Sequence, residues 1–312
     1  MRRRHLRARI GADVRATTDG VLMKLGAMMF VTDESDRVTI VANAAEERGF
    51  DSLFVPEKTH VPMSRATPWP GGALPERYKR CYDPFVALSA AAAVTSSLLV
   101  GTGVALVPLH DPILLAKKAA SLDDLSGGRF VFGVGYGWNA EELADHGIEF
   151  VNRATLLQDK LTAMRALWAN PEEGYASDLR TIAPSWVWPR PIGDNGPPVL
   201  VGARFSRDSF ATISRLANGW MPVEGHGEVL AHIPRLRQAF SLAGRDPNAA
   251  EVVVYSSSGD RSMLEKYAEA GVSRVVISLP SRGRGDALRA LDCYARLVED
   301  FSAQATSHDS PA

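Results

Sequence analysis

The sequence predicts one α/β domain, a (β/α)8 TIM barrel with long insertions in its βα loops. Three observations predict it. Short runs rich in Val, Ile and Leu alternate with helical patterns along the chain, the rhythm of a parallel sheet crossed by helices. Eight such units fit between residues 23 and 301, a span that suits one barrel. The strand candidates are apolar at consecutive positions, as strands covered on both faces must be. An open doubly wound sheet is the other arrangement this rhythm permits.

In chain order, residues 1–22 are Arg-rich, with no apolar stretch behind the arginines to make a secretory signal, and Asp13 and Asp19 interrupt a transit-type pattern. They are read as a disordered extension, with the fold starting at Met23. The strand Leu25–Phe30 leads to the helix Arg37–Arg48 and the strand Ser52–Val55. A long connection rich in proline and glycine, Pro56 to Asp83, precedes the helix Pro84–Val94. Residues 85–109 carry no charge and are long enough to span a bilayer. Thr95–Ser97, Gly101, Gly103 and Pro108 break that run into a buried helix, a turn and a buried strand, Leu98–Val104. The helix Pro112–Leu125, the strand Phe130–Val134 and the helix Arg153–Trp168 follow. A second long connection, Asn170 to Pro198, contains Trp186 and Trp188, and loops of this length usually serve as lids or insertions. The remaining units are Val199–Val201 with Arg207–Leu216, Gly219–Met221 with Val229–Leu242, Val252–Tyr255 with Ser262–Glu269, and Arg274–Ile277 with Asp286–Phe301. Residues 302–312 are read as a disordered tail.

Composition narrows the function. With 35 basic and 36 acidic residues the net charge is −1, so no global field draws the chain to nucleic acid or an anionic membrane. The two cysteines, Cys81 and Cys293, build no disulfide framework, and a reducing cytoplasm is the expected home. No HxH or HExxH pattern exists among the seven histidines, so no metal site is expected. A GxSxG elbow is also absent, which leaves nucleophilic hydrolysis without support.

In a barrel, functional residues gather where strands end and βα loops begin. Strand two ends in Glu57, Lys58, Thr59 and His60; of these, His60 is a candidate proton or hydrogen-bond donor. Strand three runs through Gly103 and Val104. Strand four ends in Gly135, Tyr136, Gly137, Trp138 and Asn139. This is GxGxG, so the dinucleotide fingerprint fails at Trp138 and a tight turn is the simpler reading. Glu141 and Glu142 are read as the start of an exposed helix. After strand five, Gly202, Ala203 and Arg204 precede a helix opening at Ser206, an arrangement that offers backbone N–H groups and positive charge to an anion; an ordinary N-cap with an exposed arginine is the alternative.

Taken together, these blocks resemble the bacterial luciferase-like flavin and deazaflavin oxidoreductases. The resemblance is carried by residues 121–143, His146-Gly147, Arg153, Met164–Trp168, Gly49–Ser52, Val55–Glu57, Leu98–Gly103, Pro197–Gly202 and Asn218–Pro222, and it covers about Met23 to Leu297. The loop His60–Arg65 with Thr67-Pro68 resembles a branch assigned coenzyme F420. The resemblance implies a barrel, commonly dimeric, holding an isoalloxazine-like ring at its C-terminal mouth. It further implies a non-prolyl cis peptide at Gly103–Val104, a cofactor phosphate near Gly202, Ala203 and Arg204, and a polar group at Glu57, Lys58 or His60 beside the reactive edge. Trp69, Trp138, Trp186 and Trp188 are expected to wall an apolar substrate pocket.

The chain departs from that pattern twice. Lys58 stands where the branch tends to have histidine, which shifts the proton-donor expectation to His60. Ala203 replaces a second glycine, and its methyl is expected to narrow the phosphate approach. The implied activity is hydride transfer between F420 and an organic substrate. The alternatives are an FMN-dependent monooxygenase working with a separate flavin reductase, and a non-enzymatic barrel that has lost its cofactor.

Overall fold

The computed structural model describes residues 23–303. The expected extension 1–22 and the tail beyond Ala303 lie outside the described residues. The strands among them are β1 (Lys24–Met28), β2 (Ser52–Val55), β3 (Leu99–Thr102), β4 (Ala105–Leu106), β5 (Phe130–Gly135), β6 (Tyr175–Ala176), β7 (Thr181–Ile182), β8 (Val199–Gly202), β9 (Gly219–Trp220), β10 (Glu251–Ser257) and β11 (Arg274–Ser278). They pair in parallel in the order β3-β2-β1-β11-β10-β9-β8-β5, and a β3–β5 ladder closes the ring. The sheet is therefore a closed eight-stranded barrel, not the open alternative. β4 continues β3 and pairs with β5.

Alternation along each strand divides the core in two. Leu53 and Val55, Val252 and Val254, and Val275 point outward into the helix layer. Phe54, Val253, Tyr255 and Val276 point inward, where they meet Met28, Leu200 and Met221. The helices start where side chains can take up their free N–H groups. Asp83 accepts from Val86 N ahead of Pro84, and Asp111 accepts from Ile113 N and Leu114 N ahead of Pro112. Gly127, at φ 70°, ends the helix Pro112–Ser126 in the left-handed region that suits glycine.

Two expectations need correction. Strand three is not continuous over 98–104: it stops at Thr102, the Gly103–Val104 peptide is cis, and pairing resumes at Ala105. The segment 170–198 is no lid over the mouth, because it leads out of the helix Arg153–Ala169 into the N-terminal end of β8. Its β6–β7 hairpin folds back onto that helix, where Asp159 accepts from Tyr175 Oη at 2.9 Å and Ser177 Oγ at 2.6 Å and pairs with Arg180. Its second half runs along the outside of the helix Pro112–Ser126, with Lys117 Nζ donating to the Trp188 carbonyl and Ile192 N donating to Asp123 at 2.7 Å. No described helix is long and apolar enough to cross a membrane, and the uncharged run 85–109 resolves into the helix Pro84–Val94, strands β3 and β4, and one 3-10 turn.

Candidate active site at the barrel mouth

Glu57 and Lys58 follow β2 and diverge. Glu57 is buried. One carboxylate oxygen accepts from Leu106 N at 2.5 Å, and the other lies 2.8 Å from His110 Nε2. Both partners lie within six residues after the cis peptide, so Glu57 ties the end of β2 to the 103–110 segment. Lys160 reinforces that segment from outside: its ammonium donates to the carbonyls of Pro108 (2.5 Å) and His110 (2.7 Å), and burial pulls it down to about 8.

Lys58 turns the other way. Its ammonium pairs with Glu142, both side chains being 1% exposed, and lies 4.7 Å from the Trp138 ring centroid. Glu142 is thus not on an exposed face. It sits in the first turn of the helix Ala140–Asp145, where Asn139 Oδ1 accepts from its backbone N–H at 2.7 Å, and that turn points its carboxylate at Lys58. Glu142 also accepts from Thr59 Oγ1 at 2.9 Å. Thr59 Oγ1 lies 2.9 Å from His60 Nδ1 and 3.3 Å from His146 Nε2, and His60 Nε2 lies 2.9 Å from Asp145 Oδ2. A polar row therefore runs from buried Lys58 to half-exposed His60 and exposed His146.

Glycines set the floor of the mouth. A Cβ on Gly103 would stand 2.4 Å from Tyr255 Oη. The Val104 side chain fills the hollow left by two others, since a Cβ on Gly135 or Gly202 would approach it to 2.4 Å or 2.8 Å. Three polar atoms in this region are buried without a partner, Tyr255 Oη, Asn139 Nδ2 and Glu141 Oε2. Burial holds the Tyr255 phenol well above its ordinary range.

The Gly202 loop opens the helix Arg207–Leu216. Ser206 and Ser209 exchange side-chain-to-backbone hydrogen bonds in a capping box. Arg204 and Arg207 are exposed, and neither forms an ion pair among the described residues. The half-buried Ala203 methyl packs against the helix layer, and its carbonyl accepts from Trp220 Nε1 at 2.8 Å.

The remaining candidates scatter. Tyr136 packs with the helix layer beside Thr212. Trp69 lies at the mouth, its ring centroid 5.7 Å from Tyr78, which in turn stands 4.8 Å from Phe30. Trp186 and Trp188 are 89% and 64% exposed on the outside of the barrel and wall no pocket there. Sequence reasoning missed His110, Glu142, Asp145 and His146 as members of the site. The last three carry a readable signal, because positions i, i+3 and i+4 of a helical turn share one face.

Comparison with known proteins agrees with this fold. The profile of the luciferase-like monooxygenase family matches residues 13–262. An uncharacterised Mycobacterium tuberculosis protein is 41% identical over 269 residues, covering 85% of this chain and 95% of the relative. Pyrimidine monooxygenase RutA of Escherichia coli is 26% identical over 73% of this chain and 66% of its own length. Among solved structures, the monooxygenase RslO1 from Streptomyces bottropensis superposes with a TM-score of 0.74 at 20% identity, covering 88% of this chain and 98% of that one. An F420-dependent secondary alcohol dehydrogenase with an F420-acetone adduct gives 0.70 at 16% identity, over 89% and 99%. The chain belongs to the luciferase-like monooxygenase family.

Proposed function

We propose, with membership of that family as the premise, that this protein is an F420-dependent oxidoreductase acting on a small organic substrate. The observation that carries the reading is the polar row at the end of β2. Hydride delivered to a carbonyl carbon leaves an oxygen that needs a proton at the same place, and a group within hydrogen-bond reach must supply it. His60 is suited to that role: Thr59 and Asp145 hold both ring nitrogens, and the half-exposed ring faces solvent.

The residues at the mouth fit a flat ring with an anionic tail. Asn139 offers a buried amide N–H with no other partner, and Gly103, Val104, Gly135, Gly137 and Trp138 are the residues that would hold a bound ring. Gly202, Ala203 and Arg204, with the first N–H groups of the helix Arg207–Leu216, suit a phosphate. When bound, F420 supplies two-electron hydride chemistry at carbon. Glu57 keeps the 103–110 segment in register, and the Lys58–Glu142 pair holds the Trp138 loop against β2.

Fluorescence titration of the purified protein with F420, and with FMN in parallel, tests the reading. Micromolar binding of F420 without comparable FMN binding is expected. Preference for FMN overturns it in favour of a monooxygenase fed by a flavin reductase. Binding of neither points to a barrel that has lost its cofactor.

A further inference from the structure

We infer that the mouth of this barrel takes an organic acid, whose carboxylate binds Arg77 and whose apolar body lies against Trp69, Tyr78 and Phe30. Taking that acid as the substrate rests on the F420 reading; the binding of an acid at Arg77 does not. The Trp69 ring centroid is 5.7 Å from that of Tyr78, which is 4.8 Å from that of Phe30. Phe30 and Tyr78 pack with the inward-facing cluster that also holds Phe54, Val104 and Tyr255. These rings therefore form one aromatic wall from the rim of the mouth to its floor, where the Tyr255 hydroxyl is buried without a partner. The rim is fixed: the Trp69 ring folds over Gly71, where a Cβ would meet it at 2.1 Å, and Gly72 N donates to the Trp69 carbonyl at 3.0 Å.

A cation stands over this wall without a counter-charge. The Arg77 guanidinium carbon lies 5.2 Å from the Phe30 ring centroid and 5.9 Å from that of Tyr78. Its neighbours are matched: Lys79 pairs with Glu76, Arg80 with Asp33 and Glu34, and Arg282 with Glu34. Among the described residues the Arg77 side chain forms neither an ion pair nor a hydrogen bond. Arg77, Arg80 and Arg282 also border a cavity of about 180 Å³ together with Glu34 and Glu76. With Asp33 and Lys79, which pair into this set, four cations meet three carboxylates. One positive charge is left over, and a single carboxylate balances it. An arginine lying on aromatic rings keeps the edge of its planar fork free, and a carboxylate fits that edge with two parallel hydrogen bonds.

Strand order places this wall on the substrate side. In the ring of strands β1 stands directly across from β8, and β3 lies midway between them. Phe30 follows β1 and holds Arg77 on that side, whereas the Gly202 loop, proposed for a phosphate, follows β8. A flat ring over Gly103, at the end of β3, leaves the space between itself and the aromatic wall. β2, which leads to His60, lies between β3 and β1, so an acid anchored at Arg77 has its body between the ring and the proton donor. A cationic substrate is repelled by the unmatched guanidinium, and a neutral one leaves it unused.

Isothermal titration calorimetry of the full chain with naphthalene carboxylate and naphthalene carboxamide, each alone and in the presence of F420, tests this. The acid is expected to bind at least about tenfold tighter than the amide, the worth of one charge-assisted hydrogen bond. Arg77 is exposed, so its replacement leaves the core untouched. Arg77→Gln is expected to bring the acid down to the amide, and Arg77→Lys to restore part of the difference. Trp69→Ala is expected to weaken both probes alike. Lys79→Gln, which removes a neighbouring charge, is expected to change neither. F420 affinity of Arg77→Gln is expected to match wild type, so a chain that binds the acid through Arg77 but not F420 upholds this site and counts against the proposed function alone. Failure of both probes to bind, equal binding of acid and amide, a preference that survives Arg77→Gln, or one lost equally in Lys79→Gln overturns the inference.

Discussion

Breaking the Lys58–Glu142 pair will measure how tightly the loop after β5 is tied to the end of β2. Both side chains are 1% exposed, so neither charge is solvated if its partner is removed. Glu142→Gln keeps the shape and an acceptor for Thr59 but leaves the Lys58 ammonium with only the Trp138 ring, a contact it already has in the wild type. Removing one member of such a pair costs about 3–5 kcal/mol. For a chain of this size each kcal/mol moves the melting temperature by about 2–4 °C, so a fall of roughly 10 °C is expected. Lys58→Met leaves a buried carboxylate that still accepts from Thr59, so its cost falls near 3 kcal/mol.

The double variant Lys58→Met with Glu142→Gln removes both charges and the desolvation that opposes them. It is expected within about 1 kcal/mol of wild type, a coupling of about 5 kcal/mol or more given the two single costs. Urea unfolding at neutral pH, with thermal scans at one fixed rate, reads all four corners of the cycle. Single variants that each cost under about 1 kcal/mol, or a double variant equal to their sum, would refute the account of a buried pair whose members stabilise one another.

Three other outcomes follow from the same geometry. Glu57→Gln loses one of two charge-assisted contacts, to Leu106 N or His110, at a cost of about 1.5–3 kcal/mol; faster hydrogen exchange at the Leu106 amide is the readout, and an unchanged rate counts against the tie. Burial raises the Asp123 carboxyl from 3.8 to about 6, so the folded state holds that proton more tightly than the unfolded chain. This group's contribution to stability therefore rises as pH falls from about 6 toward 3.8, and Asp123→Asn should stabilise above pH 6 by at most about 3 kcal/mol and flatten that slope; a variant with the wild-type slope contradicts it. Desolvation pushes the half-buried Cys81 thiol up to about 11 whereas Cys293 is exposed, so a thiol reagent at mildly alkaline pH should titrate one cysteine rapidly and the second more slowly. Two equally fast thiols would contradict the desolvation of Cys81.

What the sequence made legible is local. Most barrel strands read correctly because both faces are buried, which leaves runs such as Val252–Tyr255 apolar throughout, and the helix Pro112–Ser126 is announced by Asp111-Pro112 and closed by Gly127. Composition misled where position decided. Length left 170–198 open as a lid or an insertion and its tryptophans suggested a pocket wall, yet a segment that leaves a helix to enter a strand starts at the N-terminal end of the barrel, and Trp186 and Trp188 stay outside it. The same limit explains the site. Glu57 meets His110 across 53 positions, Lys58 meets Glu142 across 84, and Thr59 meets His146 across 87. An acidic residue in a first helical turn reads as solvated until a cation from another strand is brought against it, and only closure of the barrel supplies that cation. The members of the mouth could be proposed one strand end at a time. Which of them neutralise, orient or expose one another is set by β2 standing beside β3 and β3 beside β5, and no spacing within a single element encodes that.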